Sequence, residues 1–224
     1  MFSLRIVGFL FASIGVANAA PIVLTGTDFR FTFDSVQLGR HGLPQVNGNS
    51  VFFTPTTYVA QSVDGRGGTS TSSAISFDAV ALNGAMLRSI IVQERGDYQA
   101  IGTGGTLAMT GRLAVSGAAN TLISFARIPT LLNSTNGLVN WSATGSGAMV
   151  PTTGSYNFSL ASTLFAQSGP SAGTQAFIES KFVGIAFNPT GPGGITPNAV
   201  HEPAAPMLLT FALIGWLARR RQVE

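Results

Sequence analysis

The sequence predicts an all-β protein: a single antiparallel β-sandwich, jelly-roll-like, flanked by an N-terminal signal helix and a C-terminal short transmembrane helix. Three observations carry this. Apolar and polar residues alternate at period two in several stretches, as in a strand with one buried face. Residues 21–200 hold 24 Gly and 40 Ser/Thr, a composition of turns and pleated surface. No helix-length apolar stripe crosses this body. The chain has 224 residues, of which 45% are apolar and 9% charged, with a mean hydropathy of +0.34. A disordered chain is poor in apolar residues, so disorder of the bulk is excluded. The length suits one domain, or at most two small ones. The absence of cysteine excludes disulfides, thiolate metal sites and Cys nucleophiles.

Residues 1–19 have the three parts of a secretory signal peptide. Arg5 is the positive region, Ile6–Val16 the apolar run, and Ala17-Asn18-Ala19 the small-residue cleavage pattern. The run of 11 residues is too short to span a bilayer. Cleavage after Ala19 leaves Ala20-Pro21 at the mature terminus. Cleavage after Ala20 would place the scissile bond directly before Pro21, which has no N–H.

Residues 20–187 form the expected sandwich domain. Phe29, Phe31 and Phe33 share one face of Asp28–Asp34, with Arg30 and Thr32 opposite. Leu107 and Met109 alternate, as do Leu113 and Val115 across Gly111-Arg112, and Tyr156, Phe158 and Leu160. Further apolar runs are separated by turn signals, among them Asn47-Gly48-Asn49, Asp64-Gly65, Asn83-Gly84 and Gly169-Pro170. Leu87–Ser116 reads as a strand, a Gly96-Asp97 turn, a second strand, a Gly-rich turn, and one or two more strands. Gly65–Ser73 reads as a loop. A short helix is admissible around Ala85–Arg88 or Thr130–Asn133. Residues 188–199, with Pro and Gly in abundance, read as a spacer.

The tail, residues 200–224, holds a second apolar segment, Ala204–Ala218, followed by Arg219, Arg220 and Arg221. As a helix the segment reaches about 22 Å, short of the hydrocarbon core of about 30 Å. Arginine stems relieve part of that mismatch, and positive flanks prefer the cytoplasmic side. The pattern Val200-His201-Glu202-Pro203-Ala204, then Met207–Ala218, then Arg219–Arg221 resembles the PEP-CTERM sorting signal of Gram-negative bacteria: a Pro-Glu-Pro tripeptide, a short transmembrane stretch and a basic terminus. His201 stands where the first proline is usual, so Glu202-Pro203 are the matching pair. The resemblance implies recognition by an exosortase, a membrane-embedded cysteine protease that cleaves near the tripeptide. It also implies an inner-membrane stage and a setting of biofilm and exopolysaccharide. It covers about 25 residues and supplies no catalytic group, because such a signal is a substrate.

The net charge of +3 belongs mostly to the ends. Residues 21–201 hold seven Arg and Lys181 against seven carboxylates, so the body is nearly neutral. Nucleic-acid binding needs clustered Lys/Arg, and the body has no such cluster. His41, between Arg40 and Gly42, reads as a surface-turn residue; the other histidine is His201 in the tail. No G-x-S-x-G motif frames a serine. Glu94 and Asp97 flank the Arg95-Gly96 pair as a polar hairpin, and Glu179 and Lys181 as solvent-facing neighbours. Asp64, Asp78 and Asp97 lie near Gly-rich turns but form no D-x-D-x-D-G run, so no metal ligand and no cofactor are assigned. Trp141 is expected in the core. The sequence thus points to an exported, surface-targeted, non-enzymatic protein, a structural or adhesive component of the envelope or exopolysaccharide matrix. Two alternatives are a carbohydrate-binding module, which calls for an exposed aromatic patch or a concave sheet face, and a glycan-active hydrolase, which calls for two convergent carboxylates in a cleft.

Overall fold

A computed structural model describes residues 20–190 apart from 118–119, 128–133 and 136. The described residues are all-β: twelve strands in two antiparallel sheets, with no helix among them. The first sheet has the order β1 (Pro21–Thr25), β2 (Phe29–Asp34), β6 (Gly68–Ala81), β11 (Ser155–Gln167), β8 (Thr106–Gly117), β9 (Thr121–Arg127). The second has the order β10 (Val139–Ala148), β7 (Met86–Ile101), β12 (Gln175–Thr190), β4 (Ser50–Phe53), β3 (Gln45–Asn47), with β5 (Val59–Val63) also paired to β12. β4 and β5 lie end to end along one side of β12: Phe53 pairs with Val183 and Val59 with Glu179. From β5 to β12, every connection except β8–β9 passes from one sheet to the other.

The alternation read from the sequence becomes the core. Phe29, Phe31 and Phe33 are fully buried, and Arg30 is exposed on the other face of β2. They meet Phe77 and Phe158 of their own sheet and Phe187 of the other. The Phe33–Phe77, Phe31–Phe187, Phe77–Phe158 and Phe158–Phe187 centroids are 4.9–5.0 Å apart. Tilted and edge-on arrangements dominate, as the ring quadrupole favours. Each such ring removes a large apolar area from water, worth roughly 2–3 kcal/mol against exposure.

The turn signals hold in most places. Gly48-Asn49 closes the β3–β4 hairpin, with Asn47 opposite Ser50. Asp64-Gly65 and Asn83-Gly84 take left-handed conformations at both residues (φ 55° and 66°, 51° and 75°), each inside a turn closed by a backbone bond. These two turns lead from one sheet to the other rather than closing a hairpin.

Two expectations are corrected. Gly96-Asp97 is not a turn: β7 runs unbroken for 16 residues through it. Gly96 is instead a point of close approach. A Cβ there would fall far inside contact with the Glu179 carbonyl and 2.9 Å from Trp141 Nε1. Of the one or two strands left open after the Gly-rich turn, the structure has a single one, β8, which runs through Gly111-Arg112; a Cβ on Gly111 would enter the Phe125 ring. Gly65–Ser73 is a loop only to Gly67, because Thr69–Ser73 pair with Ala166–Ser162 of β11. At the other positions, Met86–Arg88 are strand rather than helix, and Thr130–Asn133 lie outside the described residues. β12 continues to Thr190, so residues 188–190 of the expected spacer are strand.

Candidate functional site

Two places in the sandwich concentrate polar chemistry: a buried seam between the sheets and a groove on an outer face.

The seam centres on Glu94. Ile90, Val92 and Glu94 follow one another on the inward face of β7, so the pleat that buries two aliphatic side chains buries the carboxylate too. Glu94 is fully buried, and neither carboxylate oxygen has a hydrogen-bond partner. Burial pushes its acid up to about 7. The hydroxyls of Ser180 and Ser162 act in the opposite sense, though neither is aligned as a hydrogen bond to it. Above the carboxylate, Tyr58 and Ser162 share a hydroxyl hydrogen bond of 3.0 Å that ties the β4–β5 connection to β11 across the sandwich. Burial drives the Tyr58 phenol above its ordinary range; the Ser162 bond opposes this and the Glu94 charge adds to it.

His41 completes the seam. It is fully buried rather than on a surface turn, correcting the sequence expectation. The segment that carries it is fastened by Arg40 N–H to Ser73 Oγ (2.9 Å) and Arg40 Nη1 to the Thr57 carbonyl (3.3 Å). Its ring packs 5.9 Å from Phe53 and 5.8 Å from Tyr58. Neither ring nitrogen has a partner, and burial lowers its pKa to about 4, so the imidazole is neutral.

The other carboxylates do not join Glu94. Asp97 lies on the opposite face of β7, where Lys181 bridges it and Glu179. The Lys181–Glu179 distance is 2.7 Å. A register shift between Ser180 and Phe182 displaces Lys181 toward this pair. Partial burial disfavours the Lys181 charge, but bonds to Asp97 and Glu179 outweigh it and raise its pKa. Glu179 and Lys181 are therefore an ion pair rather than independent solvent-facing groups. Trp141, buried as expected, donates from Nε1 to the Glu179 carbonyl (3.0 Å) and the Asp97 carbonyl (3.3 Å) over Gly96. Asp64 accepts from Gly173 N–H (2.8 Å) and Asp78 from Asn157 Nδ2 (3.0 Å). Among the described residues, no three His, Asp or Glu side chains gather as a metal site.

The groove lies on the outer face of the first sheet, with a volume of about 550 Å³. Thr110, Arg112, Ser124, Ala126, Ala161 and Thr163 line it, with Gly111 and Phe125. Its residues occupy adjacent rows of the sheet. Ser124, Arg112, Ala161 and Ala74 stand opposite one another across β9, β8, β11 and β6; Ala126, Thr110, Thr163 and Ser72 form the next row. Small side chains flank one long cation. Arg112 is exposed, and no ion pair or hydrogen bond to another described residue engages it. Ser72 and Thr163 share a hydroxyl bond of 2.9 Å beside it. No aromatic side chain is among the fully exposed large apolar residues described; the half-buried Phe165 of β11 stands on the same face one row beyond Thr163.

Sequence reading missed both places. The alternation Ile90-Val92-Glu94 was available, but Glu94 read as part of a polar hairpin around Gly96-Asp97. The cross-strand neighbours of Arg112 depend on register, which no local pattern specifies. Of the residues singled out at the ends, Ala20 is exposed just before β1. Ala17, Ala19, Val200, His201, Glu202, Pro203, Arg219, Arg220 and Arg221 lie outside the described residues. No described helix is long and apolar enough to cross a membrane.

No protein-family model matches the chain. A search of curated proteins finds no match either. Solved structures with some likeness include that of infectious bursal disease virus Gt strain, at 12% identity and a TM-score of 0.25, covering 96% of this chain and 53% of the other. The crystal structure of the infectious bursal disease virus VP2 subviral particle is similar at 16% identity and a TM-score of 0.24, covering 90% and 55%. The chain thus spans about half the length of those it resembles.

Proposed function

We propose that this is an exported, surface-targeted, non-enzymatic protein of a Gram-negative bacterium, a structural or adhesive component of the envelope or exopolysaccharide matrix. The observation that carries the reading is the pairing of a signal-peptide pattern at residues 1–19 with a PEP-CTERM-like tail at residues 200–224. The signal peptide delivers the chain across the inner membrane as a short apolar helix. The tail, a short transmembrane helix with Arg219–Arg221 on the cytoplasmic side, holds it there. An exosortase cleaves near Glu202-Pro203 and passes the body to the surface or the medium.

The body suits such a destination. It is close to neutral and rich in Ser and Thr, so it presents hydroxyls rather than charge to a polymer network. Its sandwich is of jelly-roll type. The strand orders β5-β12-β7-β10 and β6-β11-β8-β9, with consecutive strands exchanging sheets, support that assignment. The test is deletion of residues 200–224 followed by cell fractionation. The full chain is expected in the membrane or surface fraction, and the truncated chain in the soluble exported fraction. Identical fractionation of the two would end the sorting proposal.

A further inference from the structure

We propose that the outer groove of the first sheet binds a carboxylate-bearing polysaccharide, with Arg112 as the residue that recognises the acid. The inference deepens the matrix reading by naming the polymer class, and rests on that reading only for where the polymer is met. The groove runs across three strands, β9, β8 and β11. At about 4.8 Å between strands this is a track of about 10 Å, enough for a short stretch of glycan chain. Ala161 and Ala74 leave it open beyond Arg112, and Ser124 is the only side chain opposite the arginine on β9.

Three features select the ligand. First, Arg112 is exposed and engaged by no other described residue, and no carboxylate lines the groove. A guanidinium presents a planar fork of donors that fits a carboxylate through two parallel bonds. Second, the flanking side chains Thr110, Thr163 and Ser124 are hydroxyls, donors and acceptors suited to sugar hydroxyls. Third, a single cation among neutral groups is too little charge for a nucleic acid, whose backbone demands several. The groove's outward side chains carry no ring, so recognition there rests on hydrogen bonds and one ion pair; the half-buried Phe165 stands one row beyond Thr163 on the same face.

The experiment is affinity electrophoresis of the exported full chain through gels holding polygalacturonate, the same polymer after carboxyl reduction, or dextran. Retardation by polygalacturonate alone is expected. Arg112→Ala should weaken it at least tenfold without changing the melting temperature, because the side chain has no partner to lose. Arg30→Ala, an exposed arginine on the same face outside the groove, should leave it intact. Undiminished binding by the Arg112 variant, equal loss in the Arg30 variant, equal retardation by the reduced polymer, or no retardation at all would each overturn the proposal. None of these outcomes bears on where the tail sends the protein, so the two claims fail separately.

Discussion

Glu94 and His41 carry opposite pH dependences inside one seam. Glu94 is held from 4.5 up to about 7 by burial. Between those values the folded state keeps a proton that the unfolded state has released, so the Glu94 contribution weakens as pH rises. Over the full window this is worth about 3 kcal/mol. His41 is held from 6.5 down to about 4. There the unfolded state binds the extra proton, so its contribution weakens as pH falls, by a similar amount. From about pH 4.5 to 6.5 the two slopes oppose and largely cancel. Glu94→Gln should expose the histidine: relative to the wild type, its stability should climb with pH across that window. His41→Gln should do the reverse. Denaturant titrations at several pH values decide it, and variants that both parallel the wild type would refute the buried ionisation. Tyr58→Phe, losing the bond to Ser162, should cost about 1 kcal/mol in the same titrations. The inward position of Glu94 was legible as a continuation of Ile90 and Val92. Its isolation was not, because Tyr58, Ser162 and Ser180 come from three distant segments.

At the scale of the element, strands were legible and their ends less so. Phe29-Phe31-Phe33 and Tyr156-Phe158-Leu160 announce β2 and β11 because each has one wet face and one dry face. β7 was divided too finely, since glycine is ambiguous from sequence alone. It supplies a left-handed turn at Gly84, yet room for a neighbour at Gly96 and Gly111. Gly96→Ala tests this reading. The methyl group would strike the Glu179 backbone, which no rotamer change relieves, and would crowd the Trp141 indole. Overpacking ordinarily costs about 1–3 kcal/mol, and a backbone collision at the top of that range or above it. Thermal denaturation should show a large loss, with Gly48→Ala as a milder comparison at an open hairpin position. A Gly96 variant as stable as the wild type would mean that β7 and β12 do not approach as described.

For the whole molecule, the described sandwich and the two ends answer different questions. The neutral, hydroxyl-rich body and the two-sheet class followed from composition and period. The order of strands within each sheet did not, because it is fixed by pairings far apart in sequence, more than 100 residues in the case of Phe53 of β4 with Val183 of β12. The proposed destination, in turn, rests on short segments at the termini rather than on the fold. β1 begins at Pro21, immediately after the expected cleavage position, and pairs with β2 from its first residue. A signal peptide removed there leaves a terminus that is already part of the sheet. Intact-mass measurement of the protein recovered from the cell surface or medium tests the account most directly. It predicts a chain that starts at Ala20 and ends near Glu202-Pro203. A recovered chain that retains residues 1–19, or the tail through Glu224, would contradict it.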